Sequence, residues 1–214
     1  MIVRQIGGIR YNYTLTLLIV FLSVMSLSAQ TAKEIIADNV QFRAHLNLEY
    51  ADSTNSPLTK EDRDNFKELP FFPIDTNFRV IARFERVLNA KPFEMETTTS
   101  RRPVYEVYGV AHFELLGKPY KLNIYQSHQL RETDKYRKYL FLPYSDESNG
   151  GETYGGGRFI DLEIPNDDFI VIDFNKSYNP YCAYNAKYSC PIPPQENFID
   201  IPMLVGVADP PIKK

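Results

Sequence analysis

"VYEVYGVAHFELLGKPYKLNIYQ", residues 104–126, decides how this chain folds. Its first half alternates, with Tyr105, Val107, Ala111, Phe113 and Leu115 opposite Glu106, Tyr108, His112 and Glu114. A period of two marks a strand with one buried face. The pattern then meets Gly117, Lys118 and Pro119 and resumes at Tyr120, which predicts an antiparallel hairpin closed at Gly117 and Lys118.

The same reading extends in both directions. "FRVIARFERV", residues 78–87, sets Phe78, Val80, Ala82 and Phe84 against Arg79, Arg83 and Glu85. Further strands are expected at "KYLFLPY" (138–144), "RFIDLEI" (158–164), "DFIVIDF" (168–174) and "FIDIPMLVGV" (198–207). About seven short strands with no helical pattern between them predict a mainly β domain, a single antiparallel meander closed into a barrel or a sandwich. With 15 tyrosines, 14 phenylalanines and no tryptophan, the aromatic content suits that class. Two short helices are expected before it. Residues 31–50 space Ile35, Ile36, Val40, Phe42, Leu46 and Leu48 as an amphipathic helix, and "SPLTKEDRDNF" (56–66) offers Thr59 as N-cap with Asp62 three residues on. His45 in the first helix and His128 in the polar connection 127–138 read as solvated or packed residues rather than ligands.

Residues 1–29 have the layout of a secretory signal peptide: Arg4 and Arg10, an apolar run of about a dozen residues from Leu15, then small residues ending at Ala29. The run is short of the roughly 20 apolar residues that span a membrane, and no cysteine near the cut offers a site for lipid. The expectation is therefore an exported protein, periplasmic or secreted, with no stable membrane span after cleavage. It comprises 1–29 as signal, 30–76 as a helical extension packed on the main domain, and 77–214 as the β-rich domain, with 30–214 one structural domain. Because the signal holds two arginines and no acid, its removal moves the net charge from -3 to -5. Both signs are spread along the chain, so no basic stripe is left for nucleic acid. Oligomeric state is not readable.

Chemistry-bearing residues gather in two places. "NGGETYGGGRFIDLE", residues 149–163, holds five of the eight glycines beyond the signal. It lacks the Lys-Ser/Thr pair and the following helix of a phosphate loop, so it reads either as a turn needing positive φ or as a backbone cradle for a ligand beside Arg158. Arg158 shares a strand face with Ile160, Leu162 and Ile164, so it needs a carboxylate, carbonyls or an anion. Asp173, similarly placed among apolar neighbours on the next strand, is the expected partner. No G-x-S-x-G elbow, H-E-x-x-H or EF-hand loop occurs, and C-x7-C without a nearby histidine lacks zinc spacing, so neither metal nor cofactor is expected.

The second place is "YNPYCAYNAKYSC", residues 178–190, with the only two cysteines. Asn179 and Pro180 suit a helix start, yet a helix through Cys190 would hold the two cysteines about 12 Å apart, beyond the roughly 7 Å limit of a disulfide. Export favours a Cys182–Cys190 bridge, which requires the chain to double back near Asn185.

Three blocks, "TTTSRRPVYEVYGVAHFELLGKPYKL", "FLPYSDESNGGETYGGGRFIDLE" and "VIDFNKSYNPYCAYNAKYSCPIPPQEN", resemble the bacterial and archaeal family labelled "domain of unknown function 1684" over residues 55–205. The family-like pattern falls on Asp146, Gly151, Glu152, Tyr154, Gly155, Gly157, Arg158, Asp161, Asp173, Asn175, Tyr178, Asn179 and Cys182. The resemblance implies no activity, substrate or cofactor. Residues and resemblance together nominate a site of Asp146, Glu152, Tyr154, Gly157, Arg158, Asp161, Asp173, Asn175, Tyr178, Asn179 and Asn185 for a small polar or anionic ligand. Non-catalytic binding is the leading reading. A hydrolase using Asp146, Glu152 or Asp161 with Arg158 as anion holder, and a structural envelope domain, are the alternatives.

Overall fold

The computed structural model describes the backbone of residues 13–210 and the side chains of residues 32–210. The expected signal segment, 1–29, lies outside the residues whose side chains are described. Among the described residues, no helix is long and apolar enough to cross a membrane. The chain divides into two units, Met1–Asp38 and Asn39–Lys214. Helix α1 (Tyr13–Ala51) runs from the first into the second.

Within the second unit, α1 buries a stripe at Asn39, Leu46 and Tyr50 and half-buries Phe42, while Val40 and Leu48 remain exposed. Only Phe42 and Leu46 of the expected apolar set in this unit therefore face protein. Helix α2 (Lys60–Asp64) starts where its cap signal places it: Thr59 accepts from the Asp62 amide at 3.1 Å and donates to the Asp62 carboxylate at 2.6 Å.

Eight strands follow: β1 (Arg79–Arg86), β2 (Phe93–Glu94), β3 (Val104–Leu115), β4 (Lys118–Ser127), β5 (Tyr139–Asp146), β6 (Arg158–Glu163), β7 (Phe169–Asp173) and β8 (Phe198–Ile199). They form one curled, mainly antiparallel sheet, a half-barrel of order β6-β5-β4-β3-β1-β7, with β2 on β3 and β8 parallel to β5. The deciding hairpin is present, but its turn residues are Leu116 and Gly117, both at positive φ, so Lys118 already pairs with Leu115. That geometry matches the twist of the strands it joins.

Strand β3 does not keep one face throughout. A bulge between Val107 and Gly109 shifts the register against β4, and the alternation flips there. Ala111, Phe113 and Leu115 join the main core with Leu122, Ile124, Leu140, Leu142, Ile160 and Ile172, whereas Tyr105 and Val107 join a second cluster on the opposite side of the sheet. Glycine is required at 109 because a Cβ there would lie 2.3 Å from the ring of Phe84.

The last expected strand shrinks to Phe198–Ile199. Pro202 brings no ladder donor, and the carbonyls of Met203 and Val205 are taken by Arg158 instead of a neighbouring strand. His128 is also better tied than a loop histidine: it bonds the buried Glu106 at 2.9 Å, which Arg131 approaches at 3.1 Å.

Strands β6 and β7 are consecutive in sequence yet lie at opposite edges of the sheet. One antiparallel bridge reconnects those edges: Phe159 pairs with Tyr178, just beyond β7, through N–H···O contacts of 2.9 and 3.0 Å. That bridge brings the glycine-rich block and the cysteine block together. No helix forms at Asn179–Pro180. A single 3-10 turn at Tyr181–Ala183 gives way to a reversal in which the Tyr188 amide donates to the Asn185 carbonyl, and Asn185 keeps an ordinary negative φ.

Candidate functional site

The side chains of β6 leave on two faces, and the residues nominated by sequence divide between them. Arg158 points into the main core and is fully buried. One Nη donates to Asp146 Oδ2 at 3.0 Å and to the Met203 carbonyl at 2.6 Å; the other donates to the Val205 carbonyl. The expected Arg158–Asp173 pair is not formed. Asp146 takes that role, and its other oxygen accepts from the amides of Ser148 and Met203 at 2.9 and 3.1 Å. Ser148 and Asn149 in turn each reach Thr153 Oγ1 at 2.8 Å, which locks the glycine turn shut. An anion therefore has no route to Arg158, and the group that was to hold it is spent on protein.

Most of the other nominated polar residues bond to protein. Asp173 accepts from Asn39 at 2.7 Å and from the amide and side chain of Asn175 at 3.0 and 2.8 Å. Asn175 also clasps the Asp75 backbone through both ends of its amide. Asn179 donates to Tyr184 and to the Ala208 carbonyl, Asn185 accepts from the Lys187 amide within the reversal, and Glu152 is exposed with its carbonyl bound by Asp209. Gly157 sits at φ +79, where a Cβ would lie 2.7 Å from the Tyr144 carbonyl, so it serves the turn rather than a ligand.

The cysteine segment folds back as its spacing demands. The structure holds Cys182 and Cys190 as two buried thiols, and the expected bridge is not formed in it. The Cys182 amide donates to Cys190 Sγ at 3.1 Å, and Tyr154 places its hydroxyl 3.8 Å from Cys182 Sγ. Hydrogen bonding to Cys182, followed by burial, pushes the Cys190 thiol up, so neither chemistry nor position makes it a ready nucleophile.

The other face of β6 is open. Phe159 and Asp161 point away from the core toward a cavity of about 470 Å3. Its floor is the outer side of the sheet, Tyr105 from β3, Tyr139 and Phe141 from β5, and Phe159 and Asp161 from β6. One wall is the last turns of α1, with Phe42, His45, Leu46 and Glu49. The other is the returning segment from Tyr178 to Pro191. This volume lies within the range of small-molecule sites.

Asp161 is the singular group in that cavity. Both Tyr139 and Tyr178 donate their hydroxyls to Oδ1, at 2.7 and 2.6 Å, and among the described residues Oδ2 has no hydrogen-bond partner. Tyr139 reaches it because Phe141, two residues on, pairs with Asp161 across β5 and β6. Tyr178 reaches it because of the Phe159 bridge. Crowding by protein raises the Asp161 carboxyl above its ordinary value even though solvent still enters from the mouth, and the two phenol bonds oppose that rise. Burial likewise drives the hydroxyls of Tyr139 and Tyr178 well above the usual phenol range, so both remain donors.

Of the nominated residues, only Asp161 and Tyr178 line this cavity. Tyr105, Tyr139, Phe141, Phe159, Tyr181 and Tyr188 went unselected, although the unbroken apolar run "YLFLPY" signals a strand buried on both faces.

Comparison with known proteins agrees with the fold. A family described as "Protein of unknown function (DUF1684)" matches residues 64–208. An uncharacterised protein of Haloarcula marismortui, solved by solution NMR, is similar at 27% identity and a TM-score of 0.66, over 84% of this chain and 96% of that one. No curated protein matches the chain.

Proposed function

The chain belongs to the DUF1684 family, and from that premise we propose that it is an exported domain that binds a small molecule without transforming it, in the cavity over Asp161. The observation that carries this reading is the contrast in hydrogen bonding. Asp146, Arg158 and Asp173 are buried against protein partners, whereas Asp161 keeps one oxygen turned to an aromatic cavity of ligand size. Support for export comes from residues 1–29 alone. In an oxidising compartment the adjacent Cys182 and Cys190 would join, stapling the wall of the cavity. Two reactive thiols per denatured, unreduced chain would contradict that staple.

A second reading draws on the raised Asp161 carboxyl, which suits a general acid. It keeps no arginine for an anionic substrate, since Arg158 is sealed, and Glu49 is the only other acid in the lining.

A thermal-shift screen of a mixed small-molecule library tests the binding reading, with His45→Trp as the blocked control. His45 is exposed at the cavity wall, so the larger ring fills the mouth without disturbing the core. Hits that raise the melting temperature of the wild type and not of His45→Trp support the site. Hits that stabilise both equally place binding elsewhere and overturn it.

A further inference from the structure

Resting on the reading of this cavity as a ligand site, we propose that its ligand is a small organic ammonium cation, its charge seated at Asp161 and its apolar body against the tyrosine walls. The lining supplies two acids, Asp161 and Glu49, and neither lysine nor arginine. Its histidine, His45, lies at the wall 3.3 Å from Glu49. Arg101 is outside the lining; its guanidinium donates to the side chain and carbonyl of Ser189 at 3.2 and 2.7 Å and is felt electrostatically by the Tyr105 hydroxyl. An anion entering this space meets a carboxylate with no cation among the lining side chains, which disfavours it.

Hydrogen-bond supply points the same way. The Tyr139 and Tyr178 phenols have spent their only protons on Asp161 Oδ1, so what remains immediately around that carboxylate is acceptor: Asp161 Oδ2 and the oxygens of Tyr139 and Tyr178. A guest that donates is matched, and one that donates with a positive charge is matched twice.

The rings complete the cage. Phe141 and Phe159 stand at 73° with centroids 4.7 Å apart, Phe159 and Tyr178 at 88° and 6.0 Å, and Tyr181 and Tyr188 at 63° and 5.3 Å. Mutually perpendicular rings line a concavity with both faces and edges, and the faces carry the negative quadrupole that attracts ammonium groups. A bound cation also removes the electrostatic penalty that now raises the Asp161 carboxyl, so ligand affinity must climb as pH rises through that carboxyl's titration.

Calorimetric titration of the whole protein at neutral pH with four probes of one size tests this: benzylammonium, benzyltrimethylammonium, benzyl alcohol and phenylacetate. The two cations are expected to bind at least about tenfold tighter than the alcohol, and phenylacetate not at all. Asp161→Asn keeps the shape of the site and both phenol partners; it should reduce cation affinity to that of the alcohol. Should that variant lose its fold by circular dichroism, Tyr178→Phe serves instead, with the cation preference reduced and not abolished. Equal binding of alcohol or carboxylate overturns the charge assignment and leaves the cavity standing as a site for another ligand class. Silence from all four probes also overturns the assignment. The blocked-mouth screen decides separately whether the cavity binds anything, so the two readings fail by different results.

Discussion

Arg158 and Asp161 lie three residues apart on the same strand, both charged, both set among apolar neighbours, and they leave on opposite faces. Arg158 is closed by one carboxylate and two carbonyls. Asp161 is held by two phenols on one oxygen and is open at the other. A charge sealed from solvent against a carboxylate and carbonyls belongs to the architecture, whereas one oriented by neighbours but left with an oxygen open to a cavity is available to a ligand. The glycine turn, Asp146 and Arg158 form a polar clasp that fixes the edge of β6. That clasp, with the Phe159–Tyr178 bridge, sets where Asp161 and Tyr178 meet.

The difference can be broken most forcefully at Arg158. Replacing it by Met leaves the Asp146 charge buried without its cation and orphans the Val205 carbonyl, a loss expected at about 3–5 kcal/mol in chemical denaturation. A change below about 1 kcal/mol would mean that the clasp is not structural. Gly157→Ala strikes the same turn by steric means, with a Cβ 2.6 Å from Pro193 and a positive φ, and is expected to cost about 2 kcal/mol. On the open face, Tyr178→Phe removes one of the two bonds to Asp161 and should cost about 1 kcal/mol, raising the Asp161 carboxyl further, as carbon-detected NMR titration would show.

The smallest effect belongs to Asp161→Asn. The Asp161 carboxyl is raised in the fold above its ordinary value of 3.8, so the folded state holds that proton more tightly than the unfolded chain. Its contribution is therefore present in full below about pH 3.8 and is lost as pH rises through the folded value. At neutral pH the ionised side chain is mildly unfavourable, and Asp161→Asn should leave stability unchanged or slightly higher. The wild type should lose stability relative to the variant between pH 3 and neutrality. A parallel pH dependence of both proteins would show that Asp161 titrates as it does in the unfolded chain.

These two faces differ in how well the sequence displays them. Alternation in Val80, Ala82 and Phe84, the hairpin after β3 and the Thr59 cap depend on neighbours a few residues away, and so were readable, although the hairpin corner lies one residue earlier than expected, at Leu116–Gly117. The two-residue offset of Arg158 from Ile160 placed it among core residues, but the expected partner, Asp173, is not the one it pairs with; Asp146, which also ends a strand among apolar residues, takes that place. Tyr105 was set on the same face as Ala111 because a bulge at Tyr108 leaves no signature beyond Gly109. The cavity was least legible of all. Its walls come from α1, β3, β5, β6 and the 178–191 return, and only the long-range Phe159–Tyr178 pairing assembles them.

One measurement tests the contrast at its centre: thermal unfolding of the wild type, Arg158→Met and Asp161→Asn at neutral pH, each with and without saturating benzyltrimethylammonium. The expected result is a lowered melting temperature for Arg158→Met, a wild-type melting temperature for Asp161→Asn, and a ligand-induced rise in the wild type that Asp161→Asn loses. An Asp161→Asn protein that melts early yet still responds to the cation, beside an Arg158→Met protein of undiminished stability that does not, would contradict the assignment of the two faces.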